Sequence, residues 1–343
     1  MQIGQHHVTR DGAPLIIAEI GVNHDGDVAK AKSLIDAAKG AGADAVKFQL
    51  FDADLLLSAD AGLVAYQRDA ADSAHDLLKA LQLSLEQMGE VVTHAKAAGI
   101  AAIVTPFSPS LVKPCAAMGV DALKLASPDL VNRPLIEEAM GTKLPMVLST
   151  GQATMDEVKT TLGWVGSAAG RMAFLHCVSA YPTPAEHATL GAIAIMRQRW
   201  PQMAVGYSDH TMGVMSGGLA VAAGACVLEK HFTYDKNAKG PDHAASLEPA
   251  AFAEYAKFAR EAFTMRGAIE KKPQPMELET RQQTRQSVVA TRDLVAGTVL
   301  TAEMLTTKRP GTGIAAADLK SIIGKTLKTD VAANRVLTRE ALS

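Results

Sequence analysis

Residues 15–50 read LIIAEIGVNHDGDVAKAKSLIDAAKGAGADAVKFQL and hold one complete strand–helix–strand unit. Leu15–Ile20 and Ala45–Leu50 are short apolar runs, the pattern of strands buried on both faces. Between them, Asp27–Gly42 spaces Ala29, Ala31, Leu34, Ile35 and Ala38 along one helical face. Gly42 stands where a helix C-terminal cap is wanted, as Gly99 does later. Working outward, the same alternation predicts strands at Ala101–Thr105, Ala122–Leu125, Met146–Ser149, Met172–His176, Ala204–Tyr207 and Cys226–Leu228. Eight β/α units ending near Arg266 have the usual length of a TIM barrel, an α/β fold. A doubly wound open sheet is the alternative, but its glycine-rich phosphate loop after the first strand is missing.

Beyond Arg266 the texture changes. Lys271-Lys272-Pro273-Gln274-Pro275 is charged and proline-punctuated, and Glu277–Arg285 is polar. The tail then offers short β segments at Ser287-Val288-Val289-Ala290, Val299-Leu300 and Ala332–Leu337. The expected division is a barrel over 1–270, a linker over 271–285 and a small β-rich domain over 286–343. A domain that small is expected to lean on a neighbour.

The 343 residues are 48% hydrophobic, enough for a large core, and carry 34 Lys plus Arg against 36 Asp plus Glu. A formal charge of -2 argues against a protein built to coat nucleic acid. No apolar run approaches the ~18 residues of a membrane span, and the N-terminus does not resemble a signal peptide. Cys115, Cys177 and Cys226 are three and far apart, unsuited to a disulfide frame or a CxxC zinc site. The expectation is a soluble protein of a reducing cytoplasm.

In a TIM barrel, function collects where strands end and the following loops begin. Those places hold Glu19, Asn23 and His24; Lys47 and Gln49; Thr105; Lys124, Ser127 and Asp129; and Ser149-Thr150-Gly151. They continue with His176, Ser179 and Tyr181; Ser208-Asp209-His210; and Glu229-Lys230-His231. Taken singly, a strand-end Ser is ordinarily a helix cap and a lone His a structural residue. Lysine, however, seldom sits inside a strand without something to neutralise it, so Lys47 and Lys124 point to a bound anion. His210 and His231 follow adjacent strands, where two imidazoles can hold a divalent metal, with buried structural histidines as the alternative. With one carboxylate nearby at most, Mn²⁺ is the first expectation and Mg²⁺ the second. Lysines, hydroxyls and a Lewis acid on one rim suit a phosphorylated substrate meeting a carbonyl. A Schiff base on Lys47, Lys124 or Lys230 fits the same residues.

Several stretches resemble the sialic acid synthase family, which makes nine-carbon 2-keto acids from phosphoenolpyruvate and a hexosamine. They are Ile17-Ala18-Glu19-Ile20-Gly21-Val22-Asn23-His24, Ala43-Asp44-Ala45-Val46-Lys47-Phe48-Gln49 and Leu148-Ser149-Thr150-Gly151. Others are His176-Cys177 with Tyr181-Pro182-Thr183-Pro184, Gly206-Tyr207-Ser208-Asp209-His210-Thr211, Glu229-Lys230-His231-Phe232 and Gly240-Pro241-Asp242-His243. In the tail, Lys308-Arg309-Pro310-Gly311 with Gly313-Ile314 is similar to the family's antifreeze-like (SAF) domain.

The resemblance implies a TIM barrel followed by a SAF domain, in a domain-swapped homodimer whose tails cover each other's active sites. It implies that Lys47, Thr105, Lys124, Ser127, Ser149, Ser179 and Ser208 hold phosphoenolpyruvate, and that His210 and His231 bind Mn²⁺. Glu19, Gln49, Tyr181 and Asp242 match positions holding the acceptor sugar and metal-bound water, and Arg309 matches a contact to the sugar's acylamino group from the other subunit. One departure stands out. After Ser127 the family has Gly-Glu, where this chain has Pro128-Asp129. The shorter Asp129 is expected to keep the glutamate's catalytic role. The activity implied is condensation of phosphoenolpyruvate with N-acetylmannosamine to N-acetylneuraminate, with legionaminate, pseudaminate or sialate-9-phosphate synthesis as alternatives. More distant readings are a Schiff-base pyruvate aldolase and a sugar-binding protein without catalysis.

Overall fold

The computed structural model describes residues 1–58, 60–61 and 73–343. It divides into two compact units, Met1–Gly267 and Ala268–Ser343. In the first, eight parallel strands close into a barrel: β1 Leu15–Gly21, β2 Ala45–Leu50, β3 Ala101–Pro106, β4 Ala122–Leu125, β5 Met146–Ser149, β6 Met172–Cys177, β7 Ala204–Asp209 and β8 Val227–His231. The helices between them are α1 Val28–Gly40, α2 Leu85–Ala98, α3 Pro109–Ala117, α4 Arg133–Gly141, α5 Met155–Val165, α6 Gly191–Arg199 and α7 Met215–Ala222, with α8 Pro249–Arg266 closing the set. Short helices Ala53–Leu56 and Ala74–Leu81 add to the loop after β2.

Local chemistry explains where these helices begin. Asp27 caps α1 by accepting from the amides of Ala29 and Lys30. Ser84 with Gln87, and Thr154 with Glu157, form reciprocal capping boxes on α2 and α5. Proline occupies the first turn of α3, α4 and α8, where its missing N–H costs nothing.

Strand alternation divides the core in two. Ile16, Ala18 and Ile20 of β1 join the layer between strands and helices. Leu15 and Ile17 point the other way and meet Ala45, Ile103, Ala122, Val147, Leu175 and Val227 inside the barrel. Ile3, within a two-strand hairpin of Gln2–Ile3 with His6–His7, and Val8, just after it, pack into that inner layer. Moving one pleat toward the C-terminal end, seven of the eight inner rows become polar: Ile17 to Glu19, Ala45 to Lys47, Ile103 to Thr105, Ala122 to Lys124, Val147 to Ser149, Gly206 to Ser208 and Val227 to Glu229.

The strands run further than the apolar runs. β7 continues through Ser208 and Asp209, and β8 is Val227–His231 rather than Cys226–Leu228. Parallel ladder bonds to β7 and β1 carry β8 through its charged end, so hydrogen bonding rather than hydrophobicity sets its length.

In the second unit Ser287–Ala290 pairs antiparallel with Leu305–Lys308. Val299 makes an isolated bridge to Thr326 and Val336 one to Val289. Val288, Leu300, Ile314, Ile322 and Leu337 form this unit's own core. Within 271–285, a turn at Pro275–Glu277 leads into a helix at Leu278–Thr284. None of that helix's residues is buried, which is why it shows no apolar periodicity.

Phe174 on β6 is 1% exposed and packs in the layer between strands and helices. Phe174→Ala is expected to lower unfolding free energy by about 3–5 kcal/mol, measured by denaturant titration.

Candidate active site

The polar inner ends of the strands open into a cavity of about 820 Å³. Its wall includes Lys47, Gln49, Lys124, Ser127, Ser149, Ser179, Tyr181, Ser208, His210, His231 and Asp242. Eleven side chains from six strand ends and one later loop therefore meet in a single hollow, as the barrel geometry requires. Glu19 and Thr105 stand immediately behind this wall and hold Lys47. Glu19 Oε2 lies 2.6 Å from Lys47 Nζ, and Thr105 Oγ1 accepts from the same ammonium at 3.4 Å. Glu19 Oε1 accepts from Gln49 Nε2 at 3.0 Å.

The backbone of β1 is shaped to that contact. Register between β1 and β2 shifts after Glu19, and Gly21 adopts φ +47°. A Cβ on Gly21 would stand 2.3 Å from Glu19 Oε1 and 2.8 Å from Gln49 Nε2, so only glycine leaves room for the pair.

Lys124 sits across the hollow. Its Nζ donates to Ser149 Oγ at 2.7 Å and to the carbonyl of Leu125 at 2.9 Å, and lies 3.8 Å from Glu229 Oε1. Glu229 is buried, accepts from Ser208 Oγ at 2.8 Å, and leaves Oε2 without a hydrogen-bond partner. Burial works against its charge, but Lys124, Lys47 and Ser208 outweigh that and hold the carboxyl below its usual range. Burial presses Lys47 the other way, lowering its ammonium to about 8, with Lys124 adding repulsion while Glu229 and Asp242 oppose the fall.

Beside the lysines, the imidazoles of His210 and His231 lie 5.3 Å apart between ring centres, with the Tyr181 ring 4.0 Å from His210. His210 Nδ1 is 2.8 Å from the carbonyl of Val178, which fixes a donor there and turns the Nε2 lone pair away. His231 Nδ1 is buried without a hydrogen bond, with Asp242 Oδ2 at 3.6 Å. Burial first, then the cations around it, hold His231 well below its usual range and therefore neutral. A neutral imidazole with an unspent buried nitrogen suits a divalent cation. Among the described residues no three His, Cys, Asp or Glu side chains converge on one point. A cation here would therefore keep most of its shell for water and substrate oxygens.

Asp129 is placed differently. It does not belong to the cavity wall, where Ser127 and Pro128 do, and its Oδ1 accepts from Asn132 Nδ2 at 2.9 Å. Glu229, to which the sequence reading gave no role, does enter the wall beside the lysines, as Asp242 does. Its signal was present, since Glu229 and His231 are alternate residues of one strand and share a face. Cys177, Gln152 and the apolar Val22, Leu78, Leu81 and Phe107 also line the hollow and were not singled out. Gly151 lets the wall close: a Cβ there would stand 2.4 Å from Ser179 Oγ and 2.7 Å from Ser127 Oγ. Arg309 belongs to the second unit.

The arrangement can bind a small dianion between two ammonium groups and hydroxyls, next to two imidazoles and two carboxylates.

Known proteins resemble the chain over most of its length. A sequence model of the NeuB family matches residues 34–271, and one of the SAF domain matches 285–343. The chain is 39% identical over 333 residues to the N,N'-diacetyllegionaminic acid synthase of Legionella pneumophila, covering 95% of this chain and 93% of that one. It is 36% identical over 295 residues to the N-acetylneuraminate-9-phosphate synthase of Mus musculus, covering 85% and 82%. The crystal structure of N-acetylneuraminic acid synthetase from Leptospira borgpetersenii superposes with a TM-score of 0.75 at 30% identity, covering 82% of this chain and 94% of that one.

If Lys47 is a working cation of the hollow, dianion binding must follow its charge. Lysine is charged below its pKa and neutral above, so affinity is lost as pH rises through about 8. Sulfate keeps its charge over this range, and its dissociation constant is expected to rise about tenfold from about pH 7 to about pH 9. Calorimetry on the chain and on Lys47→Met, which should show a flat profile, checks this.

Proposed function

The chain belongs to the NeuB family of nonulosonate synthases, and we propose that it condenses phosphoenolpyruvate with an acetamido sugar, giving a nine-carbon 2-keto acid and phosphate. The observation that carries this reading is the meeting of two buried lysines with two imidazoles in one hollow. Phosphoenolpyruvate presents two anionic groups, and Lys47 and Lys124 offer two cations with Thr105, Ser127, Ser149, Ser179 and Ser208 as hydroxyl partners. His210 and His231 would hold Mn²⁺, or Mg²⁺ in its place, which supplies Lewis acidity toward the acceptor's aldehyde oxygen.

Carbon three of phosphoenolpyruvate forms the new bond to the aldehyde carbon, leaving cationic character at carbon two. Water adds there, and the tetrahedral product expels phosphate with carbon–oxygen cleavage. The chain's part is to hold the enol ester against the aldehyde and to keep its charges compensated. Glu19 and Gln49, joined at 3.0 Å, with Tyr181 and Asp242, are assigned to orienting the acceptor and the added water on the strength of the family resemblance. Arg309 is assigned to the acceptor's acylamino group and the assembly to a homodimer, both on the strength of the family resemblance.

N-acetylmannosamine is the acceptor proposed, giving N-acetylneuraminate. A di-acetamido sugar is the second reading, favoured by the 39% identity to a protein named N,N'-diacetyllegionaminic acid synthase.

The test is phosphate release from phosphoenolpyruvate with Mn²⁺, with and without N-acetylmannosamine and related acetamido sugars. Chelator-sensitive release only with N-acetylmannosamine is the expected result. Release only with a di-acetamido sugar would change the product and keep the chemistry, and release with no sugar would overturn the reading. Lys124→Met should lower kcat/KM by about 10²- to 10³-fold, because a charge aimed at the developing anion is lost. Asp129→Ala, which removes a carboxylate bonded to Asn132, should stay within about fivefold of the unsubstituted rate. A far larger loss in a folded variant would return Asp129 to the mechanism.

A further inference from the structure

On β7 and β8, the residues that point away from the cavity carry a second charge pair. Asp209 and Lys230 are partners in the parallel register, and both side chains are 0% exposed. Lys230 Nζ lies 3.3 Å from Asp209 Oδ2 and also donates to the carbonyl of Thr211. Asp209 Oδ1 accepts from Thr211 N–H at 2.9 Å and from its hydroxyl at 2.7 Å, and Oδ2 accepts from Ser216. On the α8 side the Tyr255 ring covers the ammonium at 5.7 Å. Neither Asp209 nor Lys230 is part of the cavity wall.

Their chain neighbours give the pair its meaning. Asp209 precedes His210 and Lys230 precedes His231. The carbonyl of His210 accepts from Thr183 N–H at 2.8 Å, and the next residue, Thr211, is held at its N–H by Asp209 and at its carbonyl by Lys230. A buried ion pair is a weak source of stability, since an apolar pair of the same volume often does as well. What an apolar pair lacks is direction. Here the direction ties Thr211, the residue after His210, to Lys230, the residue before His231.

We propose that Asp209 and Lys230 are positioning residues, which set the separation and orientation of His210 and His231 and through them the affinity of that pair for a divalent cation. This rests on the metal reading of the two histidines given above. The two residues touch no reactant. They act as outer partners of metal ligands do, by fixing the geometry in which those ligands are presented.

Mn²⁺ titration of the full metal-free chain, followed by the electron paramagnetic resonance signal of free Mn²⁺, tests the proposal without recourse to turnover. Thermal unfolding is recorded beside it. Lys230→Met removes the clamp but strands a buried carboxylate, so the double variant Lys230→Met, Asp209→Asn is made as well. The expected result is a cooperatively folded double variant whose Mn²⁺ affinity is about 10- to 100-fold weaker than that of the unsubstituted chain. Folded variants that bind Mn²⁺ within about threefold of it would overturn the proposal, as would failure of both variants to fold, which would make the pair a stability element. Absence of Mn²⁺ uptake by the unsubstituted chain, or unchanged uptake by His210→Ala, would instead remove the metal reading and the proposal with it.

Discussion

Two ammonium groups inside a barrel are the constraint around which the rest of the site is arranged. Lys47 and Lys124 are 6% and 2% exposed, and a charge so enclosed persists only with partners. Glu19 and Thr105 serve the first, Ser149 and Glu229 the second. Ser208 then holds Glu229, and the bulge at Gly21 makes room for Glu19. The other oxygen of Glu229 has no hydrogen bond.

The same two-residue period that builds the barrel made much of this legible from the chain alone. Lys47 and Gln49 are alternate residues on a predicted strand, and so were expected to share a face. Glu229 obeys the same rule with His231, yet the apolar run in β8 stops at Leu228, and a charged strand end looks like a loop. Hydrophobic pattern reports burial in apolar surroundings and is blind to strand that continues into a polar cavity. The helix Leu278–Thr284 was read as linker for the opposite reason, having no buried face to leave a period. The hairpin of Gln2–Ile3 with His6–His7 is too short for any period to show.

Asp129 marks where a residue-by-residue likeness stops predicting geometry. The resemblance assigns a carboxylate to that position, and the chain supplies one. Pro128 stands in the cavity wall, and the five-residue 3₁₀ turn of Ser127–Val131 that contains it gives Asp129 to Asn132. A match in residue type carries charge from one protein to another; it does not carry the direction in which a side chain leaves the backbone.

The apolar layer beneath the lysines has a further consequence. Ile3 and Val8 pack against the inner residues of the strands, so the barrel interior below Lys47 and Lys124 is filled. The hollow is thus a cup and not a tunnel. In a cup the occupant of the bottom must arrive before the occupant of the brim and depart after it. Traffic order, which elsewhere needs a moving gate, is here a matter of plumbing: a stopper at one end of a pipe imposes a queue at the other.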